Sequence, residues 1–135
     1  MVRFDGAELS VEVCSPGLRV VRMAGVLDRT TVCRLAGLLA TQLARPGCGG
    51  HLVVDLGEVG FFATDDLGPL RQAREAARAS GVSLHLAGVS ARTSLLPVGV
   101  TGALAEFSLF DTVERAQQEL VGGHAAVGVG GPRDR

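Results

Sequence analysis

A short and almost uninterrupted apolar run in the middle of the chain constrains the fold more than any other feature. Residues 51–56 read His-Leu-Val-Val-Asp-Leu, and glycine-containing segments lie on both sides of them. A strand with one solvated face alternates apolar and polar side chains, whereas a strand buried on both faces reads as a continuous apolar run. The run therefore predicts a central strand that is buried on both faces.

Two further strands are predicted before this run. Leu9, Val11 and Val13 alternate with residues that are polar or cysteine, and residues 18–24 form a second segment rich in Val. The turn sequence Ser-Pro-Gly at residues 15–17 separates the two segments. Short extended segments joined by such a turn are typical of an antiparallel β-hairpin.

Helical and extended patterns alternate after the hairpin. Apolar residues recur every three or four positions from Val32 to Leu43, which predicts an amphipathic helix, and Thr30 and Thr31 are candidate N-caps for it. The later segments are a helix over 70–80, a strand over 82–88, a short helix over 90–98, an extended segment over 107–110, and a helix over 113–120 capped by Asp111-Thr112.

This order of elements predicts an α/β domain. Its sheet is expected to be mixed and mostly parallel, with four or five strands, an N-terminal hairpin and helices packed on one side. The chain has 135 residues, which is a usual length for one domain. We assign residues 1–120 to this domain and residues 121–135, which are Gly-rich and lack periodicity, to a disordered tail.

Composition excludes several classes of function. The net charge is −1 and the pI is about 6.3, without the basic excess that is typical of a nucleic-acid partner. No apolar run approaches the roughly 20 residues of a membrane span, and the N-terminus lacks a signal-peptide pattern. We therefore expect no membrane insertion and a cytoplasmic location.

Metal, cofactor and catalytic patterns are also missing from the sequence. The three Cys have long spacings without a C-x-x-C pair, and His51, His85 and His124 do not stand at ligand spacing from Cys or carboxylates. No nucleophile motif with a neighbouring base is present. We expect a binding module without metal or cofactor and without enzymatic activity.

Four segments, taken in order, resemble the STAS domain family and in particular the anti-anti-sigma factors of Gram-positive bacteria. Residues 25–31 resemble the family pattern G-x-L-D-x-x-T, and residues 53–61 resemble V-V-D-L-S-x-V-x-F. Residues 63–67, Ala-Thr-Asp-Asp-Leu, occupy the place of D-S-S-G-L. Residues 101–116 fit the closing T-G-L…F…F-x-S…A pattern, so that the resemblance covers about residues 8–120.

The resemblance implies a function in transcription regulation by partner switching. Such proteins bind an anti-sigma factor, often a Ser/Thr kinase, and thereby release a sigma factor. The kinase phosphorylates the first hydroxyl of D-S-S-G-L, which corresponds to Thr64 here, and this phosphorylation ends binding. The residues expected to contact the partner are Asp28, Arg29, Thr31, Ala63, Asp65, Asp66, Leu67 and Arg71.

The segment around Thr64 departs from the family pattern. Ala63 replaces Asp, and Asp65 and Asp66 replace Ser and Gly. Pro69 cannot occupy a helix interior, where its missing N–H removes a bond. We therefore expect the following helix to begin late, with Asp66 as N-cap and Pro69 at the third helical position, and Thr64 to lie in the loop before it.

Other interpretations remain open. Thr64 and the two acidic residues after it are compatible with a plain helix cap, and Asp28 is compatible with a capping residue. The protein is alternatively an antagonist that is never phosphorylated, or a STAS adaptor such as an accessory subunit of a lipid-transport ABC system. Both a monomer and a weak homodimer fit the sequence.

Overall fold

The strands of this chain lie side by side in the order in which they occur along it. A computed structural model describes residues 2–4, 7–15, 17–44, 50–62, 67–89, 96 and 98–122. The strands in these ranges are β1 (Val2–Phe4), β2 (Ala7–Ser15), β3 (Leu18–Leu27), β4 (Gly50–Phe62), β5 (Val82–Ala87) and β6 (Ser108–Phe110). The helices are α1 (Arg29–Ala44), α2 (Gly68–Ala79), α3 (Val98–Leu104) and α4 (Val113–Gln117), which continues as a π-helical turn over Gln118–Gly122.

The sheet has the order β1-β2-β3-β4-β5-β6. β2 pairs antiparallel with β1 and with β3, whereas the pairs β3–β4, β4–β5 and β5–β6 are parallel. The predicted α/β class, the mixed sheet and the N-terminal hairpin are therefore confirmed. The described sheet has six strands, not four or five, because two three-residue strands, β1 and β6, extend its edges.

One face of the sheet carries the main hydrophobic core, and we call it the first face. Side chains of β2–β5 that point to this side pack against α1, α2 and α3. Val21, Val54 and Leu86 from three neighbouring strands are inaccessible to solvent, as are Leu35 of α1 and Leu70 of α2. At roughly 25 cal/mol per Å² of buried apolar surface, this layer supplies most of the hydrophobic stabilisation.

The opposite face, called the second face, is covered by α4. Leu18, Val20, Val53 and Ala87 form a smaller cluster there with Val113 and Ala116 of α4. The expectation that helices pack on one side only is therefore wrong for α4. The reason is that β3 and β4 are apolar on both sides, so the second face also needs a cover.

The central strand β4 is longer than the sequence predicts. The apolar run at 51–56 predicts a strand of six residues, but β4 continues to Phe62 because it pairs with β3 as far as Leu27. Near the end of the β4–β5 pair the two backbones approach closely. Gly88 has a φ of 88°, and a Cβ there would lie 2.5 Å from the Gly57 nitrogen, so only glycine fits.

Three other predictions concern helices and the tail. The predicted helix at 90–98 overlaps α3 only at Val98, since α3 covers Val98–Leu104; residues 90–95 and 97 lie outside the described residues, so most of this prediction stays a prediction. Residues 123–135 of the predicted disordered tail also lie outside them. In the described ranges, no helix has the length and hydropathy that crossing a bilayer requires.

Candidate functional site

The carboxyl ends of β3 and β4 bring the two predicted functional segments to the same edge of the sheet. Leu27 and Phe62, the last residues of these strands, are direct partners in the parallel ladder. Neighbouring strands are about 4.8 Å apart, so Asp28 follows β3 next to the point where β4 ends. We call the edge formed by residues 28–31 and 67–71 the rim. Ligands of parallel sheets usually bind at such carboxyl ends.

The segment that carries the proposed phosphoacceptor is not part of the described structure. Ala63, Thr64, Asp65 and Asp66 all lie outside the described residues. Their predicted roles, phosphorylation at Thr64 and partner contact at the other three, therefore stay predictions. The strand ends place only the starting point of this segment beside Asp28.

Asp28 is the N-cap of α1. Its Oδ1 accepts a hydrogen bond from the Thr31 N–H at 2.8 Å, and the Thr31 hydroxyl accepts one from the Asp28 N–H at 2.8 Å. This reciprocal arrangement is a capping box with Thr in the place of the usual Glu or Gln. The sequence interpretation of Thr30 and Thr31 as N-caps is wrong, because the chain stays extended to Leu27 and the first orphan amides of α1 therefore face Asp28.

Thr31 supports Asp28 from inside the protein. Its side chain is fully buried, and its hydroxyl donates to the Val26 carbonyl at 2.8 Å while it accepts from Asp28. A side chain without exposed surface cannot touch a partner, so the predicted contact of Thr31 is corrected to a positioning role. The same holds for Leu67, which is fully buried in the main core.

The charge at the rim is fixed by the cap. The hydrogen bond from the backbone amide of Thr31, with smaller contributions from the Thr31 side chain and the Thr30 amide, holds the pKa of Asp28 below its ordinary value. The carboxylate is therefore ionised at neutral pH and stays in one orientation. Arg29, the first residue of α1, is exposed beside it and is accessible for the predicted partner contact.

The start of α2 forms the other half of the rim. The helix begins at Gly68, with Leu67 as N-cap residue and without a side-chain capping bond. The late start predicted from Pro69 is confirmed, although the cap is Leu67 instead of Asp66 and Pro69 is at the second helical position. No backbone donor is needed there either. The Leu67 carbonyl accepts from the amides of Leu70 and Arg71 at 3.0 Å each.

Arg71 is half-exposed and already holds an internal partner. Its Nε and one terminal nitrogen donate to the two carboxylate oxygens of Glu106 at 3.1 Å each. Such a forked pair between exposed groups contributes about 0–1 kcal/mol, so a stronger acidic ligand can replace Glu106. The predicted partner contact of Arg71 stays a prediction.

The structure contains two polar clusters on the second face that sequence reasoning missed. His51 Nδ1 lies 3.1 Å from His85 Nε2, and His85 Nδ1 lies 2.9 Å from the Ser108 hydroxyl. Burial, and secondarily the charge of His51, lowers the pKa of His85 to about 4. Among the described residues, no group of three or more His, Cys, Asp or Glu side chains is placed to hold a metal ion.

Arg22 forms the second of these clusters. Its guanidinium binds Glu12 of β2 and Asp55 of β4, the latter at 3.3 Å. Asp55 also accepts from the Gly57 amide at 2.9 Å, so this carboxylate has a structural role in β4. The signal available from sequence was alternation: His85 and Asp55 fall on the second face of their strands, but only the register shows which residues they meet.

Comparison with known proteins adds a family and several structural relatives. The model of the STAS domain matches residues 11–116. A search of curated proteins returned no significant match.

Three solved structures illustrate the likeness in fold. An anti-sigma factor antagonist from Mycobacterium paratuberculosis is 25% identical with a TM-score of 0.62, covering 84% of this chain and 93% of that one. The anti-sigma factor antagonist SpoIIAA in its unphosphorylated form is 16% identical with a TM-score of 0.64, covering 86% and 99%. A sulfate transporter family protein from Wolinella succinogenes is 22% identical with a TM-score of 0.61, covering 81% and 88%.

Proposed function

We propose, since the chain is a member of the STAS domain family, that it is an anti-sigma factor antagonist whose rim binds an anti-sigma factor of the Ser/Thr kinase type. The observation that carries the proposal is the ionised Asp28, held by a capping box at an edge that β3 and β4 share. The relative from Mycobacterium paratuberculosis, which is an anti-sigma factor antagonist and is similar over most of both chains, supports it.

The residues of the rim have properties that suit recognition by charge. A fixed carboxylate loses little conformational entropy when a partner binds it, so more of the interaction energy appears as affinity. Arg29 stands at the first position of α1, where a cation is unfavourable to the helix dipole by about 0.3–1 kcal/mol. An exposed charge kept at an unfavourable position is consistent with a role in binding.

Phosphorylation at Thr64 is the proposed switch. A phosphate adds a charge of about −1.5 to −2, and β4, the strand that precedes Thr64 in sequence, ends beside the turn that carries the ionised Asp28. Two negative groups beneath one docked partner repel each other and must both be desolvated. A coupling of about 1–3 kcal/mol changes affinity 5- to 150-fold, which suffices for a switch without refolding.

The remaining parts of the proposal follow from this role. The protein works in the cytoplasm, binds its partner as a monomer or weak homodimer, and catalyses no reaction itself. Ala63, Asp65 and Asp66 alter the usual phosphoacceptor motif. A constitutive antagonist that is never phosphorylated is therefore the alternative form of the same function.

A binding experiment with a charge-matched control tests the proposal. The binding affinity of the anti-sigma kinase of the source organism is measured by titration in the presence of an ATP analogue. The natural chain is compared with the variants Asp28→Asn and Glu114→Gln. Asn caps a helix as well as Asp, so Asp28→Asn removes the charge and keeps the fold. Glu114 is exposed on α4, on the second face. We expect about ten-fold weaker binding for Asp28→Asn, which is about 1.4 kcal/mol, and no change for Glu114→Gln.

Incubation with kinase and ATP, followed by intact-mass measurement, tests the switch separately. One added phosphate that is absent from Thr64→Ala supports phosphorylation, and an unchanged mass supports the constitutive form. Equal binding by Asp28→Asn and the natural chain would contradict the docking role of the rim. A pull-down with the natural chain that recovers a transporter ATPase in place of a kinase would favour the adaptor interpretation.

A further inference from the structure

The outer edge of β5 is only partly covered by its neighbour. β4 pairs with β5 along its whole length, from Val82 to Ala87. β6 pairs only with residues 85–87, because the chain turns from α3 into β6 at Phe107 and Ser108. Among the described residues, the stretch from Val82 to Leu84 therefore has no strand partner on this edge.

The uncovered stretch offers backbone hydrogen-bonding groups. The Gly88 amide donates to the Phe110 carbonyl at 3.3 Å, across the edge that β5 shares with β6. Backbone groups of successive residues in a strand point alternately to the two neighbouring strands. Counting back from Gly88, the groups of Leu84 and Val82 point to this side of β5. The register of His85 with Ser108 assigns the Leu84 carbonyl to the Ser108 amide, so the Leu84 amide and the backbone groups of Val82 lie beyond the end of β6. An edge of this kind is a template for one more strand.

A cavity of about 280 Å³ lies beside this edge. Arg74 and Arg78 of α2 form one wall, and Ser83, His85 and Ser108 form the wall on the second face. Because Arg74 and Arg78 are one helical turn apart, their side chains follow the edge for about 6 Å. The cavity thus has the place and the length for two to three residues of an extended chain.

The charges around the cavity favour an acidic occupant. Three arginines on α2, at positions 71, 74 and 78, face two glutamates, Glu75 and Glu106. The Nε of Arg74 is buried without a hydrogen-bond partner, and the side chain of Arg78 is 70% exposed. Arg74, Arg78 and Glu106 line the cavity itself, so one positive charge is in excess there, beside backbone groups of β5 that have no strand partner among the described residues.

We propose that this cavity, which we call the edge groove, binds an extended acidic segment of a partner protein as an additional strand beside β5. Backbone bonds to Val82 and Leu84 provide the pairing, and side chains that point to the first face meet Arg74 and Arg78. The edge groove is at the carboxyl end of α2, whereas the rim is at its amino end. Arg78 of the groove is about 15 Å along the helix from Gly68, the first residue of α2, whereas Arg74 is about 4.5 Å along it from Arg71 of the rim.

Titration with synthetic peptides, followed by amide shifts in NMR spectra of the full chain, tests this inference. The probe is the capped peptide Val-Glu-Val-Asp-Val, and the comparison peptide is Val-Lys-Val-Lys-Val. We expect saturable shifts at residues 82–85 and 108 with the acidic peptide and at least about five-fold weaker binding of the basic one. An acidic peptide with N-methylated amides keeps its charge but loses its donors, so we expect its binding to disappear.

Two variants assign the effect to the edge groove. Arg78→Glu is expected to weaken the acidic peptide at least five-fold and to favour the basic one, while Arg115→Glu is the matched control. Arg115 is also exposed on a helix and paired with a nearby glutamate, but it lies on α4. Val82→Pro removes the Val82 amide, a donor at the first position of β5, where proline is tolerated. If this variant fails to fold, peptide binding by Arg78→Glu still tests the inference.

Several outcomes would overturn the inference. Equal binding of both peptides, full binding of the N-methylated peptide, or shifts confined to residues 28–31 would each reject an acidic strand at the edge groove. Shifts at residues 82–84 that depend on protein concentration without peptide would assign the edge to a second copy of the chain. None of these results affects the kinase-binding test at the rim, so failure of one proposal is distinguishable from failure of the other.

Discussion

The first and the second face of the sheet are both apolar where β3 and β4 cross them, but they are covered by different amounts of helix. Val21 and Val54 on the first face lie beneath α1 and α2, and Val20 and Val53 on the second face lie beneath the short α4. Polar clusters flank the second-face contact: Arg22 with its two carboxylates, and the His51–His85 pair.

The two faces of the sheet therefore have different roles. The helices that form the rim, α1 and α2, both stand on the extensively packed first face, so the partner surface rests on the rigid part of the molecule. The second face contains groups whose charge state or pairing depends on pH and salt. Stability is therefore expected to come mainly from the first face, and its dependence on conditions mainly from the second.

The largest expected effect comes from two adjacent valines of β4. Val54→Ala leaves a cavity under α1 and α2, and we expect it to lower the free energy of unfolding by about 3 kcal/mol. Val53→Ala is the matched control on the second face, and a loss of about 1.5 kcal/mol is expected because the short α4 can move into the space. Urea unfolding followed by far-UV circular dichroism measures both, and equal losses would show that the two faces are equally rigid.

Acid should destabilise the protein through the second face. His85 has a pKa of about 4 in the folded state and 6.5 as an ordinary value, so the unfolded chain binds the proton more readily. The stabilisation is complete above pH 6.5 and is lost as the pH falls towards 4. We expect a loss of up to about 2 kcal/mol between pH 7 and pH 5, where most carboxylates are still ionised.

The control for this pH dependence is His85→Gln, which lacks a titrating group and keeps a hydrogen-bonding side chain. Urea midpoints measured at several pH values in this interval should fall for the natural chain and stay nearly level for the variant. If the urea midpoint of His85→Gln falls with pH as steeply as that of the natural chain, the titrating group is another residue.

A smaller effect is expected from the Arg22 cluster. Arg22→Met keeps the apolar stem of the side chain but leaves Glu12 and the largely buried Asp55 without their cation. We expect a loss of about 1 kcal/mol that shrinks as salt screens the remaining repulsion. Arg115→Met breaks an exposed pair on α4 and should cost no more than about 0.5 kcal/mol. Equal losses of unfolding free energy for Arg22→Met and Arg115→Met, measured by urea unfolding, would mean that Asp55 needs no cation.

The smallest expected effect concerns the cap of α4. The Thr112 hydroxyl accepts from the Arg115 amide at 3.0 Å, so Thr112→Ala should lower stability by about 0.5–1 kcal/mol. Hydrogen exchange is expected to accelerate at the α4 amides alone, with α1 and α2 unchanged. Acceleration in α1 as well would show that the two faces unfold together.

The sequence identified the elements whose signals are local. The hairpin, the first helix and the late start of α2 follow from alternation, helical spacing and Pro69, and the structure confirms each of them. The cap of α4 at Thr112 was also predictable, because a hydroxyl before an apolar helical position is a local signal.

Features that depend on pairing could not be predicted in this way. Gly57 was interpreted as the end of the central strand, but pairing with β3 carries β4 past it to Phe62. His51 and His85 are 34 residues apart in sequence, and only the register of β4 against β5 brings them together. Asp28 was weighed as a cap, yet its bond with Thr31 depends on where β3 ends, which the sequence placed three residues too early.

The order of the strands has a consequence for biosynthesis. Each strand pairs with the strand made just before it, so no segment has to insert between two that are already joined. The order therefore allows β3 to pair with β2, then β4 with β3 and β5 with β4, as these segments emerge from the ribosome. β6 is then the last strand to join, and the nascent domain exposes residues 85–87 of β5 until Ser108–Phe110 has been made.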